Sequence, residues 1–200
     1  MVDRAMRAFW RRGWSATSIR ELESELELKA PSIYRRFGSK DGLARVVLEQ
    51  YVDQVIGRRI ERYLPADGDP LDNVWRFLDS ALVPPADGDR LTGCLLTATA
   101  TEHPALAAEL DDVMARGFAM IRDGFAAQFE RAAAAGQLAP GVDAGSATVS
   151  VDLAFQGLMV HARRSASATE LAEHARTVLR SIAPDWNPPS TSSGGCTFHQ

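Results

Sequence analysis

The residues best equipped for chemistry lie between Thr17 and Leu43, in the stretch TSIRELESELELKAPSIYRRFGSKDGL. On a helix over about Ala30–Phe37, Ser32, Arg35 and Arg36 stand at i, i+3, i+4 and share a face, with Tyr34 on its flank. Guanidinium groups on such a face donate charge-assisted hydrogen bonds to phosphates and base edges. Ile33 and Phe37, four apart, point the other way, toward Leu22, Leu26 and Leu28. A short helix with its apolar side locked and its basic side outward suits the major groove of a duplex.

That helix needs partners to hold it. Thr17 or Ser18 caps a preceding helix, and Glu21, three residues after Ser18, completes a capping box. The buried face of this helix is Ile19, Leu22 and Leu26, while Glu21, Glu23, Glu25 and Glu27 fill much of the rest. The chain turns around Glu27-Leu28-Lys29 and re-enters helix at Pro31, where a missing N–H costs nothing. Gly38 ends the second helix and Ser39 caps the next, with Lys40 at its start. A lysine there opposes the helix dipole, so another role is expected, such as holding a phosphate at the helix N-terminus. An earlier helix, residues 3–12, sets Ala5, Met6, Phe9 and Trp10 on one side and arginines on the other, and Gly13 stops it.

The pattern AxxxFxxxGxxxTSI followed by KAPSIYRRFGSKDGL resembles the DNA-binding head of the TetR family of bacterial repressors. The match runs from Ala5 to Leu43 through Phe9, Gly13, Thr17, Ile19, Leu22, Ser32, Tyr34, Phe37, Ser39 and Lys40. The resemblance implies that Ser18, Arg20, Lys29, Ala30, Pro31 and Ser32 approach bases or nearby backbone. It implies that Tyr34, Arg36 and Lys40 hold phosphates, with Arg35 at the groove edge. Two departures stand out. Glu27 occupies a turn position where the family often has glycine, and the family usually carries a few more residues, often basic, before its first helix. Without the resemblance, a basic helix face can equally be a solvated surface.

Composition sets the frame. Hydrophobic content is 46%, enough for a sizeable core in 200 residues. No apolar run is long enough to span a membrane, and the N-terminus lacks a signal-peptide core. A cytoplasmic protein is expected. The net charge of −4 conceals a division: residues 1–45 hold ten Lys and Arg against six Asp and Glu, leaving +4 there and −8 elsewhere. A basic end on an acidic body is the asymmetry of a chain that meets a polyanion at one end. Two cysteines, Cys94 and Cys196, are far apart and show no zinc spacing. No nucleotide loop is present, and no cofactor is expected.

The periodicity predicts an all-α protein of nine helices: an N-terminal three-helix helix-turn-helix head over 1–45, then a body of roughly six helices over 46–183. Residues 184–200 read as a disordered tail. After the head, helices are expected at about 39–63, 70–83, 90–101, 104–135, 143–164 and 168–183. Breakers lie at Pro65–Pro70 and Pro84–Asp89. The resemblance implies that this body binds a ligand and dimerises. Ala154, Gly157, Leu158 and His161, with Leu171, Ala175, Val178 and Leu179, are the candidates for a four-helix dimer interface. They can also be ordinary core. Trp75, Leu78, Leu95, Met114, Phe118, Ile121, Phe155 and Met159 could line a pocket for a small apolar or aromatic effector, although such stripes are also plain core. Cys94, at the start of a helix, is either a thiol sensor of electrophiles or oxidants, or an inert buried residue.

Taken together, these readings describe a dimeric, ligand-released repressor on a palindromic operator. An enzyme is disfavoured, because the four histidines are scattered, without metal spacing or a nucleophile–base pair. A helical adaptor using Arg35 and Arg36 on acidic proteins remains an alternative, as does activation in place of repression.

Overall fold

The computed structural model describes residues 1–82, 93–102, 104–164 and 167–189. The predicted breaker at Pro84–Asp89, His103, Cys196 and His199 lie outside the described residues. The chain is all-helical: α1 (Val2–Arg12), α2 (Ile19–Leu26), α3 (Ala30–Phe37), α4 (Lys40–Gln50), a π-helical stretch (Tyr51–Gly57), α5 (Arg58–Tyr63), α6 (Pro70–Leu82), α7 (Leu95–Glu102), α8 (Pro104–Glu109), α9 (Asp111–Ala134), α10 (Ala144–Arg163) and α11 (Ala168–Ile182). α4, the π stretch and α5 together occupy the expected 39–63 helix, and α8 with α9 occupies 104–135. Among the described residues no helix is long and apolar enough to cross a membrane.

Two compact units form, and they do not divide at residue 45. The first joins Met1–Gly57 to Cys94–Phe118, and the second joins the described parts of Arg58–Gly93 and Ala119–Gln200. The first unit extends beyond the head because α4 and the π stretch are bonded to the later helices. Arg45 donates to both Asp112 carboxylate oxygens (3.1 and 2.9 Å) and to the Glu109 carbonyl. Arg116 pairs with Asp53 at 2.6 Å, and the Tyr51 hydroxyl accepts the Leu95 N–H while donating toward Cys94 Sγ. Gly117 permits a close approach here, since a Cβ would lie 2.5 Å from Leu96 Cδ1 and 2.9 Å from Val52 Cγ2.

In the second unit, Phe77, Phe125 and Phe155 pack edge-on and tilted with centroids 5.1–6.0 Å apart. The Pro65–Asp69 turn is held by side chains: Asn73 Nδ2 donates to the Asp67 carbonyl and Gln128 Nε2 to that of Pro65. The expected disordered tail does not begin at residue 184. Trp186 is buried, its ring 6.2 Å from that of Trp75, and its Nε1–H donates to Asp72 at 2.9 Å. A buried indole with its one donor satisfied anchors the segment as core does.

Inside the head, Leu22, Leu26 and Ile33 are buried, while Ile19, Leu28 and Phe37 are half-buried. The capping box forms as expected, with the Glu21 N–H donating to Ser18 Oγ and the Ser18 N–H to the Glu21 carboxylate. Those bonds, with Arg12, hold the Glu21 carboxyl below its ordinary pKa. Glu27 is left-handed (φ 55°), the sole non-glycine with positive φ among the described residues. Arg4 braces it, pairing with its carboxylate at 2.9 Å and donating to the Leu26 carbonyl. The left-handed conformation costs an L-residue roughly 1–2 kcal/mol, and an exposed ion pair returns at most about 1. Glu27→Gly is therefore expected to stabilise the protein by about 1 kcal/mol, raising Tm by about 2–4 °C. A thermal melt in which the variant unfolds earlier than the parent would overturn this reading of the turn.

Candidate nucleic-acid interface

The candidate interface is built around α3, whose eight residues are too few to be a stable helix alone. Burial of Ile33 against Leu22 and Leu26 supplies the anchor, a contribution of roughly 1.5–3 kcal/mol for a fully buried aliphatic side chain. The first turn has no cap from Lys29, its own N-cap residue. The Glu23 carboxylate, from α2, accepts the Ala30 N–H at 2.6 Å and takes that role across the turn. This function was hidden in the sequence, where Glu23 is one of four similar acids. The signal was its position seven residues before the helix start, which only a tight turn brings into reach.

The acids of α2 also sort the cations of the head. Arg12 pairs with Glu21 at 2.7 Å, Arg11 with Glu25 at 3.2 Å, and Arg4 with Glu27. These are bonds between α1 and the α2 region, and they leave those arginines facing protein. Arg20, Lys29, Arg35 and Arg36 are exposed and make no ion pair among the described residues. Arg36 lies over its neighbour Phe37, 5.7 Å from the ring centroid. Tyr34 is 46% exposed beside them. Pro31 is exposed too, while Ala30 and Ser32 are half-buried. These four cations and Tyr34 are thus side chains that folding leaves available, as is Arg7 on α1, likewise exposed and without an ion pair among the described residues.

Two candidates differ from expectation. The Ser18 hydroxyl accepts from the Glu21 N–H and donates to the Glu21 carboxylate, so it is occupied by the cap. Lys40 is half-buried: Nζ donates to the Trp14 carbonyl at 2.7 Å and lies 4.8 Å from the centre of that indole. Burial lowers its pKa, while Asp41 and Glu21 raise it. Its place at the start of α4 is explained in part by this brace to the α1–α2 connection.

The body candidates separate as clearly. Leu158, Leu171, Ala175 and Leu179 are buried within the chain itself, as core residues are. Gly157 and His161 are exposed, and Ala154 and Val178 half-buried. Sequence reasoning missed Val149, Leu153 and Val160, which are 54%, 67% and 38% exposed. With Gly157 they form a stripe at helical spacing on α10, opposite the buried Val151, Phe155, Leu158 and Ala162. The available signal was a helix apolar nearly all round, which needs burial on two sides.

Of the pocket candidates, Leu95, Met114 and Phe118 belong to the first unit, and Trp75, Leu78, Ile121, Phe155 and Met159 to the second. All are buried except Phe118, which is half-buried. Phe155 belongs to the phenylalanine cluster, and the Arg176 guanidinium covers Trp75 at 4.4 Å. Cys94 sits at the N-terminus of α7, buried, with the Tyr51 hydroxyl 3.5 Å from its sulfur. Among the described residues no group of three His, Cys, Asp or Glu could hold a metal.

Comparison with known proteins finds likeness in two segments of the chain. Residues 1–47 match the family model for bacterial regulatory proteins of the tetR family, and residues 70–179 match a tetracyclin repressor-like C-terminal domain. The HTH-type transcriptional repressor ComR of Escherichia coli K12 is 26% identical over 180 residues, spanning 90% of this chain and 85% of ComR. A solved structure of the TetR family regulator CifR, a cysteine mutant complexed with 26 bp double-strand operator DNA, aligns with TM-score 0.76 at 26% identity. It covers 90% of this chain and 93% of that one. A regulatory protein TetR from Rhodobacter sphaeroides shares the fold with TM-score 0.80 at 20% identity, over 91% of this chain and 96% of its own.

The division of side chains makes distinct expectations for variants. Tyr34→Ala and Arg36→Ala should weaken binding to every duplex, with Arg36→Ala flattening the salt dependence by about 0.9 in log–log slope. Lys29→Ala and Ser32→Ala should instead change which sequence is preferred. Salt titrations and selection from random duplexes distinguish the two groups, and unchanged affinity in both backbone variants would refute the assignment.

Proposed function

The chain belongs to the TetR family of bacterial regulatory proteins and is a DNA-binding transcriptional regulator rather than an enzyme, and from that premise we propose that it is a repressor acting as a homodimer on a palindromic operator and released by a small effector. The observation that carries this reading is the exposed side of α3, where Arg35, Arg36 and Tyr34 face outward from an anchored helix. Repression is the role named for ComR, and operator DNA is the partner named for CifR. A cytoplasmic location goes with that work.

A homodimer has independent support. The Val149, Leu153, Gly157 and Val160 stripe is apolar surface left exposed among the described residues. Pairing with a second copy through a two-fold axis would bury it, together with the exposed Gly157 and His161 and half-buried Ala154 of the original candidates. Two recognition helices about 34–36 Å apart would then enter successive major grooves. The effector is proposed to be apolar or aromatic because the body candidates are bulky and uncharged. By favouring one arrangement of the body helices, it would make the DNA-competent spacing the minor population.

The thiol-triggered alternative has weaker support, since Cys94 is buried beneath Tyr51. Buried apolar surroundings make a cysteine inert more often than reactive. Treating the wild-type DNA complex with a thiol alkylator is expected to leave it intact. Loss of the complex in wild type but not in Cys94→Ser would favour the thiol reading.

The dimer is tested by Leu153→Glu, which places a charge in the uncovered stripe. Sedimentation should show a monomer that keeps its helical circular dichroism, because Leu153 is exposed in the single chain and its replacement disturbs no core. Operator affinity should fall at least about a hundredfold, as two linked heads exceed one by about 10²–10⁴. A Leu153→Glu variant that remains a dimer with full affinity would remove α10 from the interface.

A further inference from the structure

Two charged side chains of the first unit occupy helix ends that electrostatics disfavours, and both are bonded to the same residue. Lys40 is the first residue of α4, where the helix dipole is positive, and Glu102 is the last of α7, where it is negative. Lys40 Nζ donates to the Trp14 carbonyl at 2.7 Å and lies over the Trp14 indole. A Glu102 carboxylate oxygen accepts the Trp14 N–H at 3.0 Å. Trp14 is buried against Phe9, with centroids 4.1 Å apart, and follows Gly13 at φ 87°. The connection between α1 and α2 is thus gripped from α7 on one side and α4 on the other.

We propose that Glu102 is a positioning residue for DNA binding: by holding the Trp14 N–H it fixes the Trp14 carbonyl, and through it the Lys40 ammonium that faces the DNA backbone. The inference rests on the DNA-binding reading of Lys40. An ammonium has three donors, and one directed at Trp14 leaves two for a phosphate. Without Glu102 the Trp14 segment loses its tie to α7, and the lysine loses the fixed acceptor that aims it. The arrangement also gives α7 a direct line to a phosphate contact. A movement of its last turn reaches Lys40 through two hydrogen bonds and one residue, without passing along the α4 rod.

The test uses the duplex that full-length wild-type protein enriches from a random-sequence library. Affinity and its salt dependence are measured for wild type, Glu102→Ala, Glu102→Gln, Lys40→Met and the Glu102→Ala/Lys40→Met double variant, each checked for folding by circular dichroism. Glu102→Ala and Lys40→Met are each expected to weaken binding about fivefold, and the double variant no more than about twofold beyond the weaker single one. The salt slope should shrink by about 0.9 in Lys40→Met and shrink also in Glu102→Ala, which has lost no cation. A general loss of stability would not produce that second change. Glu102→Gln keeps an oxygen for the Trp14 N–H and should bind within about twofold of wild type. Multiplicative losses in the double variant, or an unchanged slope in Glu102→Ala, overturn the proposal. Tighter binding in both Glu102 variants, the result if the carboxylate merely repelled DNA, overturns it as well. If the wild type enriches no duplex, the DNA-binding reading falls, and this inference with it.

Discussion

An eight-residue helix in water does not hold itself together, and the proposed DNA-reading side of this protein depends on how that deficit is met. Nucleating a helix fixes several residues for one hydrogen bond, so α3 exists because its apolar side is buried and its first turn is capped from outside. Ile33 against Leu22 and Leu26 provides the larger contribution, and the Glu23 carboxylate on the Ala30 N–H adds a smaller, directional one. The exposed pairs Arg12–Glu21 and Arg11–Glu25 are screened by solvent and add little to stability. Their effect is orientation: they fasten α1 to α2 so that the surface receiving Ile33 has one shape. Everything outward on α3 can be polar and basic only because the inward side does the folding.

The same economy of contacts explains how a chain of net charge −4 carries a basic end. Of the ten cations in residues 1–45, Arg4, Arg11, Arg12 and Arg45 are matched to carboxylates within the protein. Arg7, Arg20, Lys29, Arg35 and Arg36 are not, among the described residues. Charge available to a polyanion is therefore set by which cations lack an internal partner, a quantity that counting alone overstates. Lys40 stands between the classes, with one donor committed to Trp14 and its stem half-buried.

Periodicity made the helices legible, and the ordered run from Ala5 to Leu43 made the head legible to its caps: Ser18 with Glu21, Ser39 at the start of α4, and Gly38 as stop all stand as read. What was not legible depends on contacts between residues distant in the chain. Nothing local in YVDQVIG marks a π stretch. It coincides with Tyr51 bonded at Leu95 and Asp53 bonded at Arg116, partners more than forty residues away. Trp186 sits among prolines and serines that composition assigns to a tail, yet its indole finds Asp72 and Trp75. The two sides of α10 were assigned incompletely because both are apolar, and helical spacing says which residues share a side but not which side is inward.

That ambiguity on α10 has a physical counterpart in the demands of DNA binding. The head offers five exposed cations without an ion pair among the described residues, of which only Arg35 and Arg36 lie within α3, and nonspecific affinity falls with salt in proportion to the phosphates neutralised. So few contacts alone make a binder that ordinary salt disperses, and eight residues of α3 can touch only a few base pairs. Doubling both numbers requires a second copy at fixed spacing, hence a surface that is apolar yet unused within the chain. Val149, Leu153 and Val160 have that character, since their burial contributes nothing to the isolated chain's own core. A helix that is apolar on two sides is costly to expose, and here the cost is intelligible if the second side belongs to the partner. The head's small footprint and the body's uncovered stripe are then two consequences of one requirement.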